Sequence, residues 1–186
     1  MFKKILIAVA VLVAAFLAVA ALQKPDFRIS RSQVVGAPPA EVFPYVNNLH
    51  NWDKWSPWAD LDPAMKMSYE GPDSGVGAVY GWSGNMQVGT GKMTILESRP
   101  VERVRMRLDF LKPMKGTDTV EFALKPAGNG TEVTWSMHGK KNFVAKAMCL
   151  FVSMDKMMQP HFEKGLMQLK ARVENSKMPD SAGAGG

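Results

Sequence analysis

The chain of 186 residues holds one cysteine, Cys149, and three histidines, His50, His138 and His161. A single cysteine excludes an internal disulfide. Cys149 lies in an apolar helical stretch and reads as a small buried hydrophobe. The histidines are too far apart for a metal motif, and there is no H-E-x-x-H and no Cys/His cluster. His161 and Glu163 are two apart on a helix and point away from each other. No G-x-S-x-G elbow occurs, and Cys149 has no His partner. Gly75-Val76-Gly77 opens like a dinucleotide fingerprint, but Tyr80 stands where the third glycine belongs, and a strand follows where a helix is needed. Gly91-Lys92 has the end of a phosphate-binding loop, with Met86 and Met93 in the Gly and Ser/Thr positions. Both are turn glycines, so no cofactor and no metal is expected. The net charge of +6 includes Lys3 and Lys4. The other basic residues are scattered along the chain, without the stripe that nucleic acid requires. They read as a solvated surface with weak attraction for anionic lipid heads.

What the chain does have is an apolar run. Residues 5–22 contain no polar and no charged side chain. The run is at the short end of what spans a bilayer, about 20 residues. Two readings stand. One is a retained signal anchor, with the lysine pair inside and the domain on the outer, periplasmic or extracellular side. The other is a signal peptide cleaved near Ala20, with Ala18-Val19-Ala20 as the small-x-small site. A buried core helix is a poor third, because the run has no polar face. Residues 1–23 are therefore expected to be anchor or signal, 24–176 one domain, and 177–186 a disordered tail of small residues.

In the domain, Phe27 to Val35 reads as a strand, followed by a short helix over 40–47 that Pro38-Pro39 starts. A second short helical or turn segment, 47–58, is rich in aromatics. Further strands are expected at 65–69, 76–82 and 86–98, the last bent at its glycines. Val104, Met106, Leu108 and Phe110 alternate with Arg103, Arg105, Arg107 and Asp109, the pattern of a half-buried antiparallel strand. Val120, Phe122 and Leu124 repeat it, as do Val133, Trp135 and Met137, with Asn129-Gly130 as the hairpin turn between them. Asn142 caps a long helix with Phe143, Ala147, Leu150, Phe151, Met154 and Met158 at helical spacing. Pro160 is expected to kink or interrupt it. The expected class is α+β. A curved antiparallel sheet of about seven strands is wrapped on a long C-terminal helix, with two short helices after the first strand.

That order, with three stretches of residues, resembles the START/Bet v 1-like (SRPBCC) superfamily and its polyketide cyclase/dehydrase-type group. The stretches are Asn51-Trp52-Asp53-Lys54-Trp55-Ser56-Pro57-Trp58 with Asp62-Pro63, Gly71-Pro72 with Ser74-Gly75-Val76-Gly77-Ala78, and Asp155 to Met158 leading to Phe162 to Leu166 and Leu169-Lys170. They span residues 28 to 176. The resemblance implies a helix-grip fold with an internal apolar cavity. It does not imply an enzyme, since a fold does not settle a function.

The residues expected to line that cavity follow. Trp52, Trp55 and Trp58 recur every third position, and Trp82 and Trp135 face inward on strands. These offer flat apolar surface to a bound ring or chain, and they serve equally as core. Met86, Met106 and Met137 on strands, and Met154 and Met158 on the helix, add adaptable surface. They form no compact repeat that would bind Cu(I). Phe110 and Phe162 complete the set. Asp53, Asp60 and Asp62 cluster near the expected mouth, Asp60 and Asp62 as turn formers before Pro63. The function expected is binding of a hydrophobic small molecule or lipid by a membrane-tethered domain. The alternatives are a cyclase/dehydratase-type enzyme working through a cavity carboxylate or His, such as Asp53 or His50, and an envelope interaction module without ligand. No oligomeric state is fixed by the sequence.

Overall fold

The computed structural model describes residues 1–176. The expected tail at 177–186 lies outside the described residues. A helix, α1 (Phe2–Leu22), precedes the domain, almost wholly exposed and touching it through the short helix Phe143–Met148 and the residues after it. It is long and apolar enough to cross a membrane by length and composition.

The domain starts with β1 (Asp26–Val35), then α2 (Pro39–Asn47) and two 3₁₀ turns, Leu49–Lys54 and Ala59–Leu61. Six strands follow: β2 (Lys66–Glu70), β3 (Val79–Ser83), β4 (Thr90–Arg99), β5 (Arg103–Lys112), β6 (Gly116–Ala127) and β7 (Gly130–Lys140). After β7 come α3 (Phe143–Met148) and α4 (Met154–Asn175). All seven strands form one antiparallel sheet in the order β1-β7-β6-β5-β4-β3-β2. Meander connections place β2 to β7 side by side in sequence order, while β1 crosses to the far edge and pairs with β7. Register shifts in β4, at Thr90/Gly91 and Ile95/Glu97, bend the sheet.

One face of the sheet is buried. Val104, Met106, Phe122, Val133 and Trp135 lie on it against Phe162, Leu166, Leu169 and Val173 of α4. The other face is wet, and Glu97 there gathers Arg99, Arg103 and Arg105 at 2.7, 2.6 and 3.1 Å. The Arg103 hydrogen bond first, then the surrounding guanidinium charges, hold the Glu97 carboxyl below its usual range. Helix α4 is tied to β1 at both ends. Arg31 forks onto both carboxylate oxygens of Asp155 at 3.0 and 2.8 Å, and Glu174 accepts from the Gly36 amide.

Four sequence expectations need correction. The strand expected from Val76 begins at Val79. Gly75 and Gly77 have φ of 78° and 90°, which turns the chain there and leaves Val76 61% exposed. The strand expected from Met86 begins at Thr90. Residues 84–89 instead form a closed loop, with Gly84 N to Gly89 O at 2.9 Å, Gly89 N to Asn85 O at 2.8 Å, and Asn85 Oδ1 accepting from Gln87 and Val88. In the β6–β7 hairpin the positive φ falls on Gly128, at 58°, and not on the Asn-Gly step. That is the first central position of the turn, which the primed hairpin turns need. Pro160 neither ends nor interrupts its helix. The break comes earlier, after Met148, and Ser153 restarts the helix by accepting from the Lys156 amide at 3.2 Å. The apolar spacing around 143–151 therefore serves another surface. Phe151 is 79% exposed to water, stacks on Phe16 of α1 at 5.9 Å, and α3 packs on α1. Cys149, in the same segment, is half-buried.

Candidate ligand cavity

The tryptophan-rich turn is built by the end of α2. The last carbonyls of a helix have no donor within it. Here Trp52 Nε1 gives its hydrogen to Val46 O at 3.3 Å and Trp55 Nε1 to Tyr45 O at 3.0 Å. Both indoles are thereby folded under α2 with ring centroids 4.9 Å apart. Trp135 on β7 receives them edge-on and stacks on Phe162 of α4, centroids 4.3 Å apart and planes at 8°. Phe122 closes the other face of Trp135 at 5.0 Å. The Trp135 indole N–H is buried and has no partner among the described residues.

Beyond this aromatic block, toward β3, the sheet and α4 part and leave a cavity of about 260 Å³. Trp52, Trp58, Trp82 and Phe110 line it, together with Trp135, Met137, Met158 and Phe162. Four of the expected residues lie elsewhere. Trp55 and Met106 are fully buried in the core behind the wall. Met154, on the first turn of α4, packs against the core from its edge. Met86 stands on the 84–89 loop, 83% exposed, because the strand that would have turned it inward starts four residues later.

The cavity also takes residues that the sequence reading left as ordinary core or did not single out. Leu108 and Val120 carry the same alternation as their neighbours, and Tyr80 and Met93 face them from β3 and β4. Met65 and Val88 complete the apolar wall, and Ser56 and Gln87 are the polar members. Trp82 Nε1 is bonded to Val88 O at 3.0 Å, which fixes the 84–89 loop over the cavity. Burial and the nearby Tyr69 and Asp53 push the Tyr80 phenol up, so it stays a neutral hydroxyl.

Two of the three candidate acids at the mouth are engaged in structure. Asp60 accepts from Lys164 at 2.7 Å and Gln168 at 3.0 Å, which together lower its pKa. Asp62 accepts from Ala64 N in its own turn and from Asn85 N of the 84–89 loop. Asp53 is exposed on the first 3₁₀ turn. His50 stacks on Tyr69 at 3.9 Å and faces Asp73, on a separate small cleft outside the main cavity. Among the described residues no three His, Cys, Asp or Glu side chains converge to hold a metal ion.

Residues 26–174 match the family described as "Polyketide cyclase / dehydrase and lipid transport". The chain belongs to this family. Solved structures agree on the shape. The domain superposes on protein CV1439 of Chromobacterium violaceum with a TM-score of 0.58 at 20% identity, over 79% of this chain and 96% of that one. It superposes on Ara h 8.0201 with a TM-score of 0.56 at 12% identity, over 81% and 99%. For Aha1 of Colwellia psychrerythraea the values are 0.56, 18%, 82% and 99%. At these identities the likeness is one of fold, the helix-grip arrangement of the START/Bet v 1-like superfamily. No curated protein matches the sequence.

Proposed function

We propose that this protein binds a hydrophobic small molecule or lipid in the cavity between sheet and α4, at a membrane surface to which α1 tethers it. The cavity itself carries the reading. A void of about 260 Å³ walled by aromatic rings and methionines is apolar on nearly every side. Burying an apolar ligand there returns roughly 25 cal/mol per Å² before the losses of association. Ligand pockets commonly measure about 300–1,000 Å³. The size therefore favours a compact ring system or a single short chain over a two-chain lipid. Met65, Met93, Met137 and Met158 give the wall room to adapt.

The membrane reading is supported by where the sheet puts its charges. The register sets the starts of β1, β2, β4 and β6 and the ends of β3, β5 and β7 at one end of the sheet, the end joined to α1. Lysines scattered in sequence meet there: Lys24, Lys66, Lys112, Lys115, Lys140 and Lys141. Exposed Met114 and Phe143 flank these lysines in sequence, and exposed Phe151 packs on Phe16 of α1, with exposed Val152 next to it. Near an anionic bilayer each lysine contributes about 1 kcal/mol of attraction, and the apolar side chains reach the acyl boundary. The cavity wall residues Phe110 and Val88 lie toward the same end.

Two measurements test these readings. Native mass spectrometry of the full chain released from lipid discs is expected to show a stoichiometric apolar adduct. A bare mass, repeated after incubation with host lipid extract, would count against ligand binding. Hydrogen exchange is expected to slow at 111–116 and 143–152 in anionic lipid discs compared with neutral ones. Equal exchange in both would remove the proposed docking face.

A further inference from the structure

The buried face of the sheet carries one acidic residue. Its inward row crosses β1, β7, β6, β5, β4 and β3 as Phe27, Gly139, Asp118, Leu108, Met93 and Tyr80. Asp118 is two residues before Val120, opposite Leu108 and diagonal to Met137, and all three line the cavity. Asp118 is not itself part of the cavity wall; it stands on the same face, one inward position beyond Val120 toward the start of β6. It has its place because position 139 is glycine: a Cβ there would land on Asp118 Oδ1. Among the described residues nothing donates to it and no cation pairs with it.

Burial alone pushes the Asp118 carboxyl up to about 6. The facing positions, Phe27, Leu108 and Gly139, carry no charge. On the neighbouring strands Arg107 and Asp109 are paired with each other, and Lys140 closes β7 at its end. His138 and Lys115 sit beside the row in sequence. On the helices Lys146 gives its ammonium to Ala21 O and Asp155 is held by Arg31, with Lys156 following it. None of these contributes to the shift.

We propose that the Asp118 carboxylate is the polar anchor of the cavity, accepting a hydrogen bond from a hydroxyl or amine carried by an otherwise apolar ligand. The proposal rests on the cavity being a ligand site. A half-dry carboxylate without a donor is costly, and a ligand that supplies one relieves that cost where a purely apolar isostere does not. The sequence did hold the signal. Stepping back from Val120 by the strand period of two puts an acid on the apolar face, and stepping forward from Met137 puts a glycine opposite it.

The test uses the full chain and a matched pair of probes, naphthol and methoxynaphthalene, read by quenching of the cavity tryptophans. Above pH 6 the wild type is expected to favour naphthol by about tenfold, which is about 1.4 kcal/mol, and the preference shrinks as the carboxyl protonates below that pH. Asp118→Leu is expected to bind both probes alike. Asp118→Asn, nearly the same shape, keeps the fold and shows a small preference that does not vary with pH. Equal affinities for both probes in the wild type would overturn the anchor and leave the cavity reading standing. Binding of neither probe would overturn both. Stability gives a readout without ligand. The folded-state value is raised above the ordinary 3.8, so ionising Asp118 costs stability as pH rises from about 4 to about 6. Asp118→Asn should therefore be more stable than wild type above pH 6, by a margin that vanishes below pH 4. A constant difference across that window would contradict the burial on which the anchor depends.

Discussion

Replacing Trp135 with alanine is expected to cost about 3–5 kcal/mol of folding stability. The indole is 2% exposed and is the common neighbour of the aromatic block. It stacks on Phe162 and Phe122 and meets Trp52, Trp55 and Trp58 edge-on, at centroid distances of 4.3, 5.0, 6.4, 5.7 and 5.5 Å. Its removal opens the junction between sheet, α4 and the tryptophan-rich turn at once, and no single neighbour can collapse into the gap. A domain stabilised by about 5–15 kcal/mol would lose a large share of its margin, read as a fall in the urea midpoint with little change in slope. A loss below about 1 kcal/mol would mean that the block is not packed as described. Gly165→Ala probes the same junction from the helix side. In an exposed helix this change gains up to about 1 kcal/mol. Here the new Cβ meets Trp135 Cζ3 at 2.7 Å and Pro57 Cδ at 3.0 Å, so the sign is expected to reverse.

Filling the cavity should separate binding from folding. Val120→Trp projects an indole from the middle of β6 into the space between Leu108, Met137 and Phe162. Probe affinity is expected to fall more than tenfold, which is more than about 1.4 kcal/mol, because the ligand and the new ring compete for one volume. Stability should hold, since a side chain that enters a void adds contacts instead of overpacking the core. Denaturation and probe titration on the same sample decide the matter. Unchanged affinity would place the ligand site elsewhere. Lost affinity together with lost stability would mean only a damaged fold.

How much of this was legible in the sequence depends on what each element answers to. The strands from 103 to 140 were readable because one wet face and one dry face force a period of two, and Val104 to Phe110 shows it without exception. A long C-terminal helix was readable from the spacing that runs through Met154 and Met158, although the residues that α4 buries deepest, Phe162, Leu166, Leu169 and Val173, lie further along it. The misplacements fall where local backbone geometry overrides pattern. Val76 and Met86 carry the right chemistry for a strand, but Gly75, Gly77 and Gly89 at positive φ put them on turns. The spacing through Phe143 and Phe151 stays helical because this segment packs on α1, with Phe151 on Phe16, and not on the sheet. For the cavity, type and periodicity point to the inward face but not to depth. Trp55 and Met106 are as apolar as Trp58 and Met137, and only the parting of sheet and helix decides which of them touches empty space. The gathering of lysines is likewise a product of register, which brings together residues as far apart in sequence as Lys24 and Lys141.

Helix α4 packs chiefly on β1, and both of its ends are pinned there, through Arg31 to Asp155 and through Gly36 to Glu174. The opposite edge of the sheet, β2 and β3, has no such fastening to the helix. The grip is therefore lopsided: a fixed jaw of α4, β1 and β7, and a compliant jaw of β2, β3 and the 84–89 loop, with the cavity between them. Local openings draw on the less fastened parts of a structure. A ligand seated here would thus press against a rigid back plate, and accommodation of guests of different thickness would fall to the short outer strands.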